Sequence, residues 1–235
     1  MDKLNTKKVV DPLVSVIVPM YNEEASVGEV LKHLTFLAKK LSLEIIAVDD
    51  GSTDNTREIV ELYPSVKLVS SSTNLGKGSA IAAGLSKSQG QIVVIQDADL
   101  EYSPNEIPSL IKPILDRKTD VVFGSRFLGQ AKNMSLSHLF GNRILSLAFS
   151  LLFNTNLTDV MTGHKVFSKK SLDSIKLTEA GFEIEIEITA KILKKGCAFI
   201  ELPINYTYRT TGEAKIGYLD GLKCLIKLLR WKFFK

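Results

Sequence analysis

The chain is poor in the residues that staple small folds. Its only cysteines among 235 residues, Cys197 and Cys224, form no CxxC or other ligand spacing. That excludes a disulfide framework and a thiolate metal site, and suits a reducing compartment. No GxGxxG follows the first apolar run and no GxxxxGK[ST] occurs, which argues against a dinucleotide cofactor and a P-loop. Charge imbalance is also lacking: 30 Lys and Arg against 26 Asp and Glu give +4, which points to no nucleic-acid partner. The opening residues, MDKLNTKKVVDP, carry lysines but no apolar centre, so they do not read as a secretory signal. The longest nearly uncharged apolar stretch, ILSLAFSLLF at 144–153, is about half of the roughly 20 residues that a spanning helix requires. No bilayer-crossing segment is therefore expected.

What remains is the composition of an ordinary folded domain, 45% hydrophobic and 24% charged, without repeats or low-complexity tracts. Apolar runs at 13–18, 43–48, 66–69, 92–96 and 121–123 read as strands. They alternate with helical patterns at 25–41, 53–62, 77–87 and 105–115. Such alternation predicts an α/β fold, a mostly parallel sheet with helices on both faces. The rhythm then breaks into a helix at 137–153, another at 183–194, short strands within 198–208 and a basic helix at the end. No linker separates the halves, so one domain is expected.

Chemistry concentrates in IVVIQDADLE, residues 92–101, where an apolar run stops and Asp97, Asp99 and Glu101 follow at alternating positions. Read as an extended continuation of a strand, these acids share one face. They lie at the carboxyl end of the sheet, where open α/β folds bind ligands. Convergent hard oxygens suit Mg²⁺ or Mn²⁺ bridging to phosphate, and a solvated acidic turn is the alternative. PMYNEE (19–24) and DDGSTDNT (49–56) follow the first two strands and line the same crevice. Asp49 and Asp50 suit ribose or base contacts, whereas Ser52, Thr53 and Asp54 suit a helix start. The glycines of NLGKGSA, 74–80, turn the chain into a helix, and its lysine offers a phosphate contact. In the last helix Leu222, Leu225, Ile226, Leu229 and Phe233 follow helical spacing. Lys223, Lys227 and Arg230 take another face and Trp231 lies nearby. That pattern reads as membrane-surface binding, or as packing onto the domain.

Together VSVIVPMYNEE, VDDGSTDNT, NLGKG and QDADL resemble the family 2 glycosyltransferases of the GT-A fold. Within them the chain is most similar to the dolichyl-phosphate mannosyltransferase and polyprenyl-phosphate glucosyltransferase group. The likeness continues through GSRF (124–127), TGHKVF (162–167) and RTTGEAK (209–215). It implies a catalytic domain at 1–218, with a nucleotide-binding half near 12–127 and an acceptor half near 128–218, followed by the basic amphipathic helix at 219–235.

The resemblance implies that Pro19, Tyr21, Glu23, Val48 and Asp50 hold the donor nucleotide, with Ala98 against it. Asp97 and Asp99 would bind Mg²⁺ or Mn²⁺, and Glu101 stands where the family often has glutamine, adding a negative charge. Arg126 matches an arginine near the diphosphate, and Arg209 and Lys215 match the basic pair on the loop that closes over the donor. Arg143 falls where the likeness places an acceptor-phosphate contact, with Leu145, Phe149 and Leu152 beside it for lipid. Asp159 is read as orienting the acceptor site. The implied activity is inverting transfer of mannose or glucose from a GDP- or UDP-sugar to a polyprenyl phosphate, peripherally at the cytoplasmic membrane face, alone or with a membrane-protein partner. A glycan or protein hydroxyl acceptor would need a general base. His164, where many relatives have an aromatic, is its candidate, against a structural histidine. A nucleotide-sugar-binding partner of a membrane complex is the non-enzymatic reading.

Overall fold

The computed structural model describes residues 13–209 and 218–234. Lys215 lies outside the described residues. Seven strands form one sheet: β1 Val14–Met20, β2 Leu43–Asp49, β3 Val66–Ser70, β4 Ile92–Ile95, β5 Val121–Lys132, β6 Lys165–Ser168 and β7 Phe199–Thr207. Their order is β3-β2-β1-β4-β6-β5-β7, and β6 alone runs antiparallel to its neighbours. From β1 the chain winds outward to β3, then returns to place β4 on the other side of β1. This reversal is the switch point at which open α/β sheets hold their ligands.

Every residue of β1 and β4 is buried, as expected of strands covered on both faces. Alternation divides them: Val14, Val16, Val18, Ile92 and Val94 face one core, Ile17, Val93 and Ile95 the other. The first core is closed by α1 (Val27–Leu37), α2 (Thr56–Glu61) and α4 (Ile107–Leu115). In α1, Val27, Val30, Leu31, Leu34 and Leu37 make the apolar stripe. The second core is closed by α3 (Lys77–Lys87), α5 (Leu136–Phe153), α7 (Ile184–Lys194) and α8 (Tyr218–Phe233), with the short α6 (Lys169–Asp173) at its margin.

Two expectations change. The strand expected at 121–123 runs on to Lys132, because β7 pairs along it past an irregularity between Ser125 and Gln130. Polar GSRF, which reads as a loop, is therefore strand, a case of pairing overriding composition. The apolar stretch at 144–153 is only part of α5, which is 18 residues long and, by length and composition alone, apolar enough to cross a membrane. In this fold α5 buries Leu145, Ser146 and Phe149, of which Leu145 and Phe149 join the second core. Leu136, Phe140, Ile144, Leu147 and Leu151 stay exposed.

One-sided packing of α5 makes a direct prediction. Phe149→Ala should cost about 3–5 kcal/mol in urea unfolding, and Leu147→Ala less than about 0.5 kcal/mol. Equal costs would refute the orientation of the helix.

Candidate active site

A cavity of about 1220 Å³ opens at the switch point. Pro19, Tyr21 and Glu23 after β1, Asp50 after β2, and Asp97, Ala98, Asp99 and Glu101 after β4 lie on its wall. Arg126 from β5 and Arg209 beyond β7 join them. The loops after β1 and β2 are laced together. Backbone N–H groups of Asn22, Glu23 and Glu24 donate to Ser52 Oγ, Thr56 Oγ1 and Asp54 Oδ2 at 2.9, 2.7 and 3.1 Å. Asp54 Oδ1 also accepts from Thr56 N, the first residue of α2, at 3.0 Å, whereas Ser52 and Thr53 do not cap that helix, whose N-cap is Asn55. The Asp50 carboxylate accepts from Leu75 N (3.0 Å) and Gly76 N (2.7 Å), which fixes the NLGKG turn against the cavity.

Asp97, Asp99 and Glu101 all reach the cavity wall, though not by extended alternation. The strand ends at Ile95, and Leu100 takes φ +62°, so residues 97–101 form a tight turn. A turn concentrates charge more than a strand would. Asp99 Oδ1 accepts from Glu101 N at 3.0 Å, and Glu101 Oε2 accepts from the Tyr206 hydroxyl at 2.8 Å. Burial and the charge of Asp99 push the Glu101 carboxyl up to about 7. Gly163 permits the arrangement, since a Cβ there would sit 2.0 Å from Asp97 Oδ2.

Protein cations answer this charge. Lys77 Nζ bridges Asp97 Oδ1 (2.7 Å) and Glu185 Oε1 (3.0 Å). Lys165, fully buried, pairs with Glu185 from the core side and donates to the carbonyls of Val160 and Thr162. Arg209 Nη2 reaches Asp99 Oδ2 at 2.7 Å and Glu23 Oε1 at 3.1 Å. Carboxylate oxygens suit a hard divalent cation. Among the described residues, however, no three acids stand gathered as a ready ligand cluster.

Other expected residues lie elsewhere. Val48 is in the core rather than on the cavity wall. Asp159 is fully buried and grips Arg126, with Oδ2 accepting from Nε and Oδ1 from Nη2, both at 2.7 Å. It therefore orients Arg126 instead of facing an acceptor. Arg143 is exposed beside the cavity, its guanidinium 5.2 Å from the Phe127 ring centroid. Of the expected lipid contacts, Leu145 and Phe149 are buried. His164 is wholly buried, with neither ring nitrogen partnered and its ring edge-on to Tyr102. Off the cavity wall, it cannot serve as a base. Lys77, whose segment was read as offering a phosphate contact, instead pairs with Asp97, and Glu185 was the group least visible in sequence, one acid in the alternating IEIEI of α7.

A mostly parallel sheet with an acid-rich turn at its switch point and arginines on the same cavity wall is the GT-A type of α/β fold. Residues 15–176 match the family described as Glycosyl transferase family 2, and the chain belongs to it. It is 29% identical over 230 residues to a Pyrococcus furiosus protein named dolichol-phosphate mannosyltransferase, covering 93% of this chain and 64% of that one. An uncharacterized Methanocaldococcus jannaschii protein is 31% identical, covering 93% of this chain and 92% of its own. Among solved structures, Mycobacterium tuberculosis glucosyl-3-phosphoglycerate synthase, in complex with Mn²⁺, UDP and phosphoglyceric acid, shares the fold with a TM-score of 0.77. It is 21% identical and covers 95% of this chain and 80% of that one.

His164 generates a test. Burial drives its pKa down to about 3 from an ordinary value of 6.5, so the unfolded chain binds the extra proton between those values. The stability from the neutral ring is complete above about pH 6.5 and is lost as pH falls toward 3, by up to about 1.4 kcal/mol per pH unit. His164→Phe should stabilise the fold by about 1–2 kcal/mol at pH 7.5 through removal of unpaired nitrogens. Its urea midpoint should also fall less between pH 6.5 and 5. Parallel pH profiles for the two proteins would refute the buried neutral ring.

Proposed function

We propose that this chain transfers a hexose, mannose or glucose, from a GDP- or UDP-sugar to a polyprenyl phosphate at a membrane surface, with inversion. The observation that carries the reading is the continuity of the cavity with an exposed apolar surface. From the acids its wall runs to Ile144 and Leu145 of α5 and to Leu222 and Leu225 of α8. There two stripes begin: Leu136, Phe140, Ile144, Leu147 and Leu151 on α5, and Leu219, Leu222, Ile226, Leu229 and Phe233 on α8. Both have helical spacing. Leu136, Leu151 and Leu219 are 83%, 75% and 74% exposed. So large an apolar face on a folded domain marks an interaction surface. Basic Arg143, Lys223 and Lys232 on the same two helices suit anionic headgroups.

In this reading Pro19, Tyr21, Glu23, Asp50 and Ala98 hold the nucleotide. Asp97, Asp99 and Glu101 would hold Mg²⁺ or Mn²⁺, which when bound neutralises the diphosphate. A phosphate oxygen of the acceptor attacks the anomeric carbon, and the bond from that carbon to the diphosphate oxygen breaks. Negative charge moves to the departing diphosphate. Arg126, aimed by Asp159, meets it as a preorganised cation that stabilises charge where it develops, and Arg209 and Lys215 would add their charge to the departing diphosphate. An anionic acceptor needs no general base, in keeping with a buried His164. The similarity to an enzyme named dolichol-phosphate mannosyltransferase supports this acceptor class.

The test combines radiolabelled GDP-mannose or UDP-glucose, Mn²⁺ and vesicles carrying a polyprenyl phosphate. Label should enter the organic phase, and Asp99→Asn should reduce it by at least about 100-fold. Label passing only to a water-soluble acceptor would overturn the lipid reading. For the surface, replacing Leu222, Ile226 and Leu229 by Ser should abolish flotation with vesicles while leaving donor hydrolysis in place. Unchanged flotation would reject the membrane face.

A further inference from the structure

The acids to which the cation is assigned already carry a positive group. The Arg209 guanidinium is 2.7 Å from Asp99 Oδ2, 3.1 Å from Glu23 Oε1 and 3.8 Å from Glu101 Oε1, and the Arg209 backbone N–H donates to Glu101 Oε1 at 3.2 Å. Its side chain is 8% exposed, so these pairs are held away from water. Arg209 thus draws together acids from two loops, after β1 and after β4. It stands in the segment between β7 and α8, the helix that bears half of the apolar surface.

We propose that Arg209 is an internal counter-ion of the donor-free site: its guanidinium competes with the divalent cation for Asp99 and Glu101, and moves off them when the cation binds. The inference rests on the reading of these acids as cation ligands. A divalent ion carries twice the charge of a guanidinium, and one such as Mg²⁺ approaches oxygen to about 2.0–2.1 Å. It therefore wins the acids once it arrives, but its apparent affinity is lowered by the fraction of molecules in which Arg209 is seated. The displaced guanidinium is then available to the donor diphosphate, for which its planar fork is suited. Occupation of the acids and delivery of Arg209 to the donor become one exchange.

The experiment measures Mn²⁺ binding to the full chain without nucleotide, by the electron paramagnetic resonance signal of the free ion. Arg209→Ala should bind Mn²⁺ about tenfold more tightly than the unaltered protein. Arg209→Lys, which keeps the charge but loses the fork, should fall between them. This direction is diagnostic, because a residue serving only the donor diphosphate would leave Mn²⁺ affinity unchanged when removed. Equal or weaker binding in Arg209→Ala overturns the proposal. A second measurement needs no variant: modification of Arg209 by phenylglyoxal, followed by peptide mass spectrometry, should accelerate when Mn²⁺ alone is added. A constant rate also overturns it. If the unaltered protein and Arg209→Ala both fail to bind Mn²⁺ even with a nucleotide sugar present, the cation reading of the acids itself fails. That outcome is distinguishable from equal, measurable binding by the two proteins.

Discussion

Carboxylates crowded into a partly desolvated turn repel one another, and two like charges about 4 Å apart cost about 4 kcal/mol at an effective dielectric near 20. Asp97, Asp99 and Glu101 end a wholly buried strand, and Glu23 and Glu185 face the same space. Much of the surrounding structure answers that cost. Lys77 is carried to Asp97 by the first turn of α3, which Asp50 anchors through Leu75 and Gly76. Lys165 sits fully buried behind Glu185, on the antiparallel strand β6. Buried charge pairs of this kind are weak evidence for stability, since apolar packing of equal volume does as well or better. Their presence here is better explained by the acids they accompany than by the fold.

The Arg126–Asp159 pair follows the same logic one strand further out. Asp159 accepts both from the guanidinium and from the Arg126 backbone N–H, while its own backbone N–H donates to Glu201. Both side chains are buried, so the guanidinium keeps its orientation without a ligand. A fork held in advance contributes more to a developing charge than one that must be ordered during the reaction. Arg209 follows the opposite design. Its present partners are the acids themselves, so the proposed role toward the donor would require an exchange.

How much of this was legible follows from the physical signals involved. The apolar runs of β1 and β4 bury every residue, so their strands, and the loops after them, could be read directly. The second half was harder. Strand β6 contains Lys165, whose burial makes sense only beside Glu185 of α7, a partner some 20 residues away. β5 continues through GSRF because of a pairing with β7 that no local pattern encodes. The extended alternation expected of the three acids is a turn instead, because a leucine in the left-handed region, Leu100, leaves no mark in composition. Arg143 matched by position along α5, but helix rotation sets it over Phe127 rather than in the cavity.

In α8 packing onto the domain uses a different apolar set from the one read in the sequence. The expected apolar face, Leu222, Leu225, Ile226, Leu229 and Phe233, lies outward, and a different set, Cys224, Leu228 and Trp231, packs onto the core. Lys227 pairs with Glu179, and Lys191 of α7 lies 4.3 Å from the Trp231 ring centroid, which pins the helix from its polar margins. A helix apolar on both sides needs two apolar neighbours. Helices α5 and α7 supply one, and in the proposed reading a lipid phase would satisfy the other. With the cavity mouth between α5 and α8, an acceptor with a long apolar tail would bring its phosphate to the acids without that tail crossing water. The apolar surface and the charged turn are then two ends of a single path.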